Sequence, residues 1–201
     1  PEFFEDNDKR DDAIIQRVAR FVLRGTPNLI LTENPNQSKR LGVKIIQNFR
    51  RMPEMQAILN NQDRELNNKL HEPDGKFYNL LIAALEEAKK NAISLEKDAQ
   101  QYDLFMQEIK TSRNNNSKIQ GARLRLILRK AGVAIKGPVI FYDAETSPNK
   151  MAEDMIVDHL IQIKGIVVIG TNASGRGTDI KVLKEVAATK GVAVHIYGVL
   201  S

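Results

Sequence analysis

The sequence predicts an α/β fold, a mainly parallel sheet flanked by helices, with an inserted antiparallel helical hairpin. Three observations predict it. Short apolar runs ("NLILT", "PVIFYDA", "GIVVIGT" and "VAVHIYG") alternate with segments of helical periodicity. "GIVVIGT" is apolar almost throughout, as a strand covered on both faces must be. From about 50 to 121 no β-rich run occurs, and helix-forming residues take over. The α/β part is therefore expected over 4–49 and 122–201, and the helical insertion over 50–121.

Taken in order, Ile14, Ile15, Val18, Phe21 and Val22 fall at helical spacing, and Gly25-Thr26-Pro27 stops that helix. "NLILT" follows as a buried strand. Asn34-Pro35-Asn36-Gln37 reads as a helix start: a capping side chain, proline in the first turn, and glutamine three residues after the cap. That helix should run through Leu41, Ile45, Ile46 and Phe49. The insertion is broken at "HEPDG" and "TSRNNNS". Within it Leu81, Leu85, Ala88, Ala92, Leu95, Ala99, Tyr102, Met106 and Ile109 alternate four and three apart, a heptad seam. One reading packs this stripe on the preceding helix as half of an antiparallel hairpin; the other docks part of it on a partner protein.

Further on, Ser117 and Gln120 form a possible capping box for a helix through Leu124, Ile127, Leu128 and Ala131. Strands are expected near 138–142, 165–169 and 192–196, in one sheet with 28–32. Ser147-Pro148 should open the helix carrying Met151, Met155, Ile156 and Leu160, and a short helix should span 182–188.

Composition narrows the function classes. No run approaches the roughly 18 apolar residues of a membrane span. The absence of cysteine excludes disulfides and thiolate metal sites and fits a cytoplasmic setting. A net charge of +5 is mild beside 25 acidic residues, so nucleic acid is not the expected partner. Pro1-Glu2-Phe3 reads either as a cloning remnant or as a native start.

The loop after "IVVIG" lies at the carboxyl end of a predicted strand, where open parallel sheets bind ligands. Gly175 and Gly177 permit close backbone approach, Arg176 can present a guanidinium to phosphate oxygens, and Asp179 can hold the loop or a ribose hydroxyl. An ordinary glycine turn is the alternative.

"GTNASGRGTDIK" resembles the helicase-type motif V of the SecA preprotein translocase motor, Thr-Asn-Met-Ala-Gly-Arg-Gly-Thr-Asp-Ile. Thr171, Asn172, Gly175, Arg176, Gly177, Thr178, Asp179 and Ile180 match it, and Ala173 and Ser174 depart. "FFEDNDKRDDAIIQRVARFVLRGTPNLILT", "LRLILRKAGVAIKGPVIFYDAE" and "KGVAVHIYG" resemble other parts of SecA's second nucleotide-binding fold more weakly. The similarity skips the heptad block. It implies a RecA-like fold in which Arg176 reaches across to ATP held by a first motor fold, supported by Asp179. Thr171, Gly175, Gly177 and Thr178 would be the nucleotide-binding residues. No Gly-x-x-x-x-Gly-Lys-[Ser/Thr] loop is present, so ATP and magnesium are expected only if such a first fold is paired with this one.

Asp154, Asp158 and His159 fall close enough on one helix to suggest a metal, against the simpler reading of a solvated acidic face. His195 is expected to be packed and hydrogen-bonded, and His71 to sit in a turn. "RLRLILRK" is read as a snorkelling helix face or a phosphate- or lipid-facing one. Two functions follow. The alanine-rich seam favours a SecA-like fold kept as a scaffold, with the insertion binding a protein such as a small GTPase or a translocation partner. The retained Gly-Arg-Gly-Thr-Asp favours half of an ATP-driven translocase motor, and a nucleic-acid helicase fragment is a third, weaker reading.

Overall fold

A computed structural model of the chain describes residues 2–142, 149–171 and 177–197, with side chains described for 7–142, 149–171 and 182–197. Among the described residues the order is α1 (Glu2–Leu23), β1 (Asn28–Thr32), α2 (Pro35–Arg50), α3 (Met55–Leu70), α4 (Lys76–Ser94), α5 (Gln100–Asn115) and α6 (Gly121–Lys130). There follow β2 (Ala134–Lys136), β3 (Val139–Tyr142), α7 (Lys150–Asp158), β4 (Val167–Thr171), α8 (Gly177–Thr189) and β5 (Ala193–Ile196). The sheet order is β2-β3-β4-β1-β5, and every pair is parallel except β2 with β3. The expected α/β class with a mainly parallel, helix-flanked sheet is what the chain forms.

Strand periodicity divides the core in two. Leu29, Leu31, Ile140 and Val168 face a layer holding side chains of α4 through α8. Ile30, Val139, Val167 and Ile169 face α1 and α2. Helix α3 crosses between the two layers, with Met55 in one cluster and Leu66 and Leu70 in the other. Phe77, Leu81, Leu85, Phe105 and Ile109 lie in the same cluster as the sheet residues, so the 50–121 block shares its core with the strands.

Local signals act as the sequence suggests at several ends. Gly25 (φ 79°) ends α1, with Thr26 N donating to Phe21 O at 2.9 Å and Gly25 N to Val22 O at 2.9 Å. Asn34 caps α2 by accepting from Gln37 N at 2.9 Å, while Gln37 Oε1 accepts from Glu33 N, one residue earlier than a capping box would place it. Gly42 lets α2 lie against the sheet, because a Cβ there would come within 2.2 Å of Phe141 Cε1.

Other elements differ from expectation. The heptad stripe is divided between two helices. α4 ends at Ser94, Glu96 turns into the left-handed region (φ 54°), and Lys97 N donates to Ala92 O at 2.8 Å. Asp98 Oδ1 then accepts from Gln100 N at the start of α5. The spacing survives this break only in the sequence: Leu81, Leu85 and Ile109 are buried, whereas Leu95 is 64% exposed. The break expected at "TSRNNNS" falls within that stretch, where α5 ends at Asn115 and Asn116 turns into the left-handed region (φ 50°). Ser117 does not cap α6; its carbonyl accepts from Ser112 Oγ at 2.5 Å and from His71 Nε2 at 2.9 Å, and Gln120 makes no capping bond. Asn149 caps α7 through Ala152 N at 2.7 Å, while Ser147 and Pro148 lie outside the described residues. β2 was not expected; a turn at Gly137 folds it back on β3.

Candidate functional site

β1 and β4 are register neighbours, so Thr32 and Thr171 end side by side at the carboxyl edge of the sheet. The first turn of α2 adds Ser38. Thr32 Oγ1 and Ser38 Oγ are 2.5 Å apart, and Ser38 Oγ and Thr171 Oγ1 3.4 Å, all three residues being buried. Thr32 Oγ1 also donates within reach of Asn34 O (3.2 Å) or Gly170 O (3.4 Å). These hydroxyls seat the amino end of α2 against the point where the chain leaves β4.

The expected nucleotide-facing residues distribute around this point. Thr171 belongs to the hydroxyl cluster. Gly175 and Arg176 lie outside the described residues, whereas Gly177, Thr178 and Asp179 are the first three residues of α8. Two helices thus begin after adjacent parallel strands, and their dipoles favour an anion at that edge, although in the first turn of α2 Pro35 has no N–H and the Gln37 and Ser38 amides are bonded to Asn34. The cluster supplies hydrogen bonds and positive potential; the described part of it holds no carboxylate or imidazole for proton transfer.

A charged knot that no sequence motif announces lies beside this edge. Asp11 of α1 is fully buried and receives Lys44 Nζ at 2.7 Å and Arg40 Nε at 3.2 Å, while Arg40 Nη2 donates to Tyr197 Oη at 2.7 Å. Burial alone would raise the Asp11 carboxyl, but hydrogen bonds from Lys44, Tyr197 and Arg40 outweigh it and hold it below the usual range. The available signal was an acid-rich first helix facing Arg40 and Lys44, four apart on α2. The knot ties α1, α2 and the end of β5 together.

His195 is packed and hydrogen-bonded, as expected. Asn28 Nδ2 donates to Thr26 O at 3.0 Å, which leaves Asn28 Oδ1 to accept from His195 Nε2 at 2.9 Å. Burial, with a smaller contribution from Arg17, lowers its pKa to about 4. The unfolded chain takes up this proton near the ordinary value of 6.5, before the folded chain does, so stability is fully present above that pH. Between pH 6.5 and 4 the chain is expected to lose about 3 kcal/mol through this residue. Urea midpoints across that range should fall less steeply in His195→Gln; parallel slopes would contradict the assignment.

Among the described residues no group of three or more His, Cys, Asp or Glu side chains is placed to hold a metal ion. Asp154 pairs with Lys150 at 3.0 Å, and His159 lies edge-on to Phe77 with ring centroids 5.5 Å apart. Burial, then Lys69, keeps that imidazole below its ordinary pKa.

A second candidate surface lies where α4 passes into α5. Ile93, Leu95 and Leu104 are 58%, 64% and 68% exposed, while Phe77, Leu81 and Leu85 on the same helix pair are fully buried. Lys89 and Asp103 tie the two helices at 2.8 Å. Ala92, named with this stripe, is buried. No described helix is long and apolar enough to cross a membrane. Comparison of the chain with protein-family models, curated proteins and solved structures found no match.

Proposed function

We propose that this chain is a SecA-like, RecA-type α/β fold used as a scaffold, with the helical 50–121 block binding a partner protein. The observation that carries this reading is the exposure of Ile93, Leu95 and Leu104 on a helix pair whose other large apolar side chains are largely withdrawn into the core. Three large aliphatic side chains held in water on consecutive helices and the turn between them suit the apolar centre of an interface. Ile93→Glu or Leu104→Glu should abolish capture of a small GTPase or a translocation component. The melting temperature should barely move, since surface substitutions typically stay within about 0.5 kcal/mol. Ala92→Glu is unsuitable for this comparison because it would bury a charge. If every substitution that stops binding also unfolds the chain, the docking reading has no support.

A second reading is favoured by the carboxyl-edge arrangement. Two helix starts beside Thr32, Ser38 and Thr171 fit a fold that offers Arg176, with Asp179, to ATP and magnesium held by a separate first motor fold. The chain alone should then show no steady ATP turnover, because its sequence holds no phosphate loop. Turnover by rigorously purified chain that disappears in Arg176→Ala would contradict this.

A further inference from the structure

We propose that the cleft between the end of α4, the start of α5 and the end of α6 receives an acidic segment of the partner, anchored by an apolar side chain. This rests on the partner-binding reading above and gives the partner a chemistry. The cleft measures about 420 Å³, enough for one or two side chains. Its apolar lining includes Ala88, Ala92, Leu95 and Tyr102, with the small residues Gly132 and Ala134 beside them.

Three cations line the same cleft, Lys97, Arg129 and Lys130, and among the described residues no carboxylate does. Glu96 and Asp98 flank Lys97 in the chain without lining it, and Asp98 accepts the Gln100 amide. Arg129 is held in place by donating from Nη1 to Ile135 O at 3.0 Å. Arg129 and Lys130 already complement the carboxyl end of α6. Lys97 has no such duty, and among the described residues neither lysine makes an ion pair. The cleft beside Leu104 differs, since its Glu108 is engaged with Arg123 at 2.9 Å. Positive charge around an apolar recess selects a ligand that carries both carboxylates and an aliphatic or aromatic group.

The test uses the full chain and a fluorescein-labelled peptide, Glu-Glu-Leu-Glu-Glu-Phe, followed by anisotropy, beside a peptide with lysine in place of every glutamate. The acidic peptide should bind and the basic one should not. Lys97→Glu/Lys130→Glu should weaken binding by about tenfold or more. Lys39→Glu on exposed α2 should change it by less than about twofold, as a remote, screened charge does. Equal losses from Lys39→Glu, or no loss from the double variant, would overturn the proposal. Should the double variant melt early, Lys97→Gln alone carries the comparison. Partner capture that survives Lys97→Glu/Lys130→Glu but fails with Ile93→Glu would overturn the cleft assignment while leaving the docking reading intact.

Discussion

Phe77→Ala is expected to destabilise the chain by about 3–5 kcal/mol, the cost of deleting a buried aromatic side chain and leaving a cavity. Phe77 is fully buried at the start of α4 and belongs to the cluster that contains Leu29, Leu31 and Val168 of the sheet. Its ring also meets His159 edge-on, so truncation removes contacts to α7 as well as to the strands. The loss should appear as one cooperative unfolding transition shifted to lower urea, with the slope unchanged, because the helical block and the sheet share a core. Two separated transitions would mean that residues 50–121 unfold independently of the strands.

Asp63→Ala should cost about 3 kcal/mol, the lower end for breaking a buried ion pair, since the Asp63 side chain remains 30% exposed. The Arg125 side chain is only 9% exposed and bonds to the Asp63 carboxylate, with Nε donating to Gly137 O at 3.2 Å and Nη2 to Gln62 Oε1 at 3.4 Å. Removing Asp63 leaves a buried guanidinium with carbonyl partners and no counter-charge. Gly121 is part of the same device: a Cβ there would lie 2.1 Å from Asp63 Oδ2. Asp63→Ala/Arg125→Met should recover much of the loss, because the uncompensated charge goes with it. Equal urea midpoints for the single and double variants would show that charge burial is not the cause.

The parts of the fold legible in the sequence were those decided locally. β1 and β4 are covered on both faces, so their residues are apolar in succession, and Asn34-Pro35 marks a helix start by its own chemistry. β2 escaped notice because three residues give no usable periodicity; it exists through pairing with β3. The split of the heptad stripe was hidden because its spacing continues across the break, and Glu96 occupies a left-handed position that glycine usually signals. At the site, Thr171 could be placed at a strand end from its neighbours alone. Its contact with Ser38 depends on β1 and β4 being adjacent, a pairing between distant segments that no local pattern announces. Arg125 was read as part of a basic helix face, whereas packing of α3 and the β2–β3 turn makes it a buried charge.

Docking of a partner protein where α4 passes into α5, as proposed above, can be tested by covalent capture. The most direct measurement places a photo-crosslinking residue in the full chain at Leu95, at Leu104, and at the exposed β5 position Ile196. Leu95 and Leu104 are expected to crosslink to the captured partner and Ile196 is not. Crosslinks from Ile196, with none from Leu95 or Leu104, would contradict it and assign the interface to the open edge of the sheet.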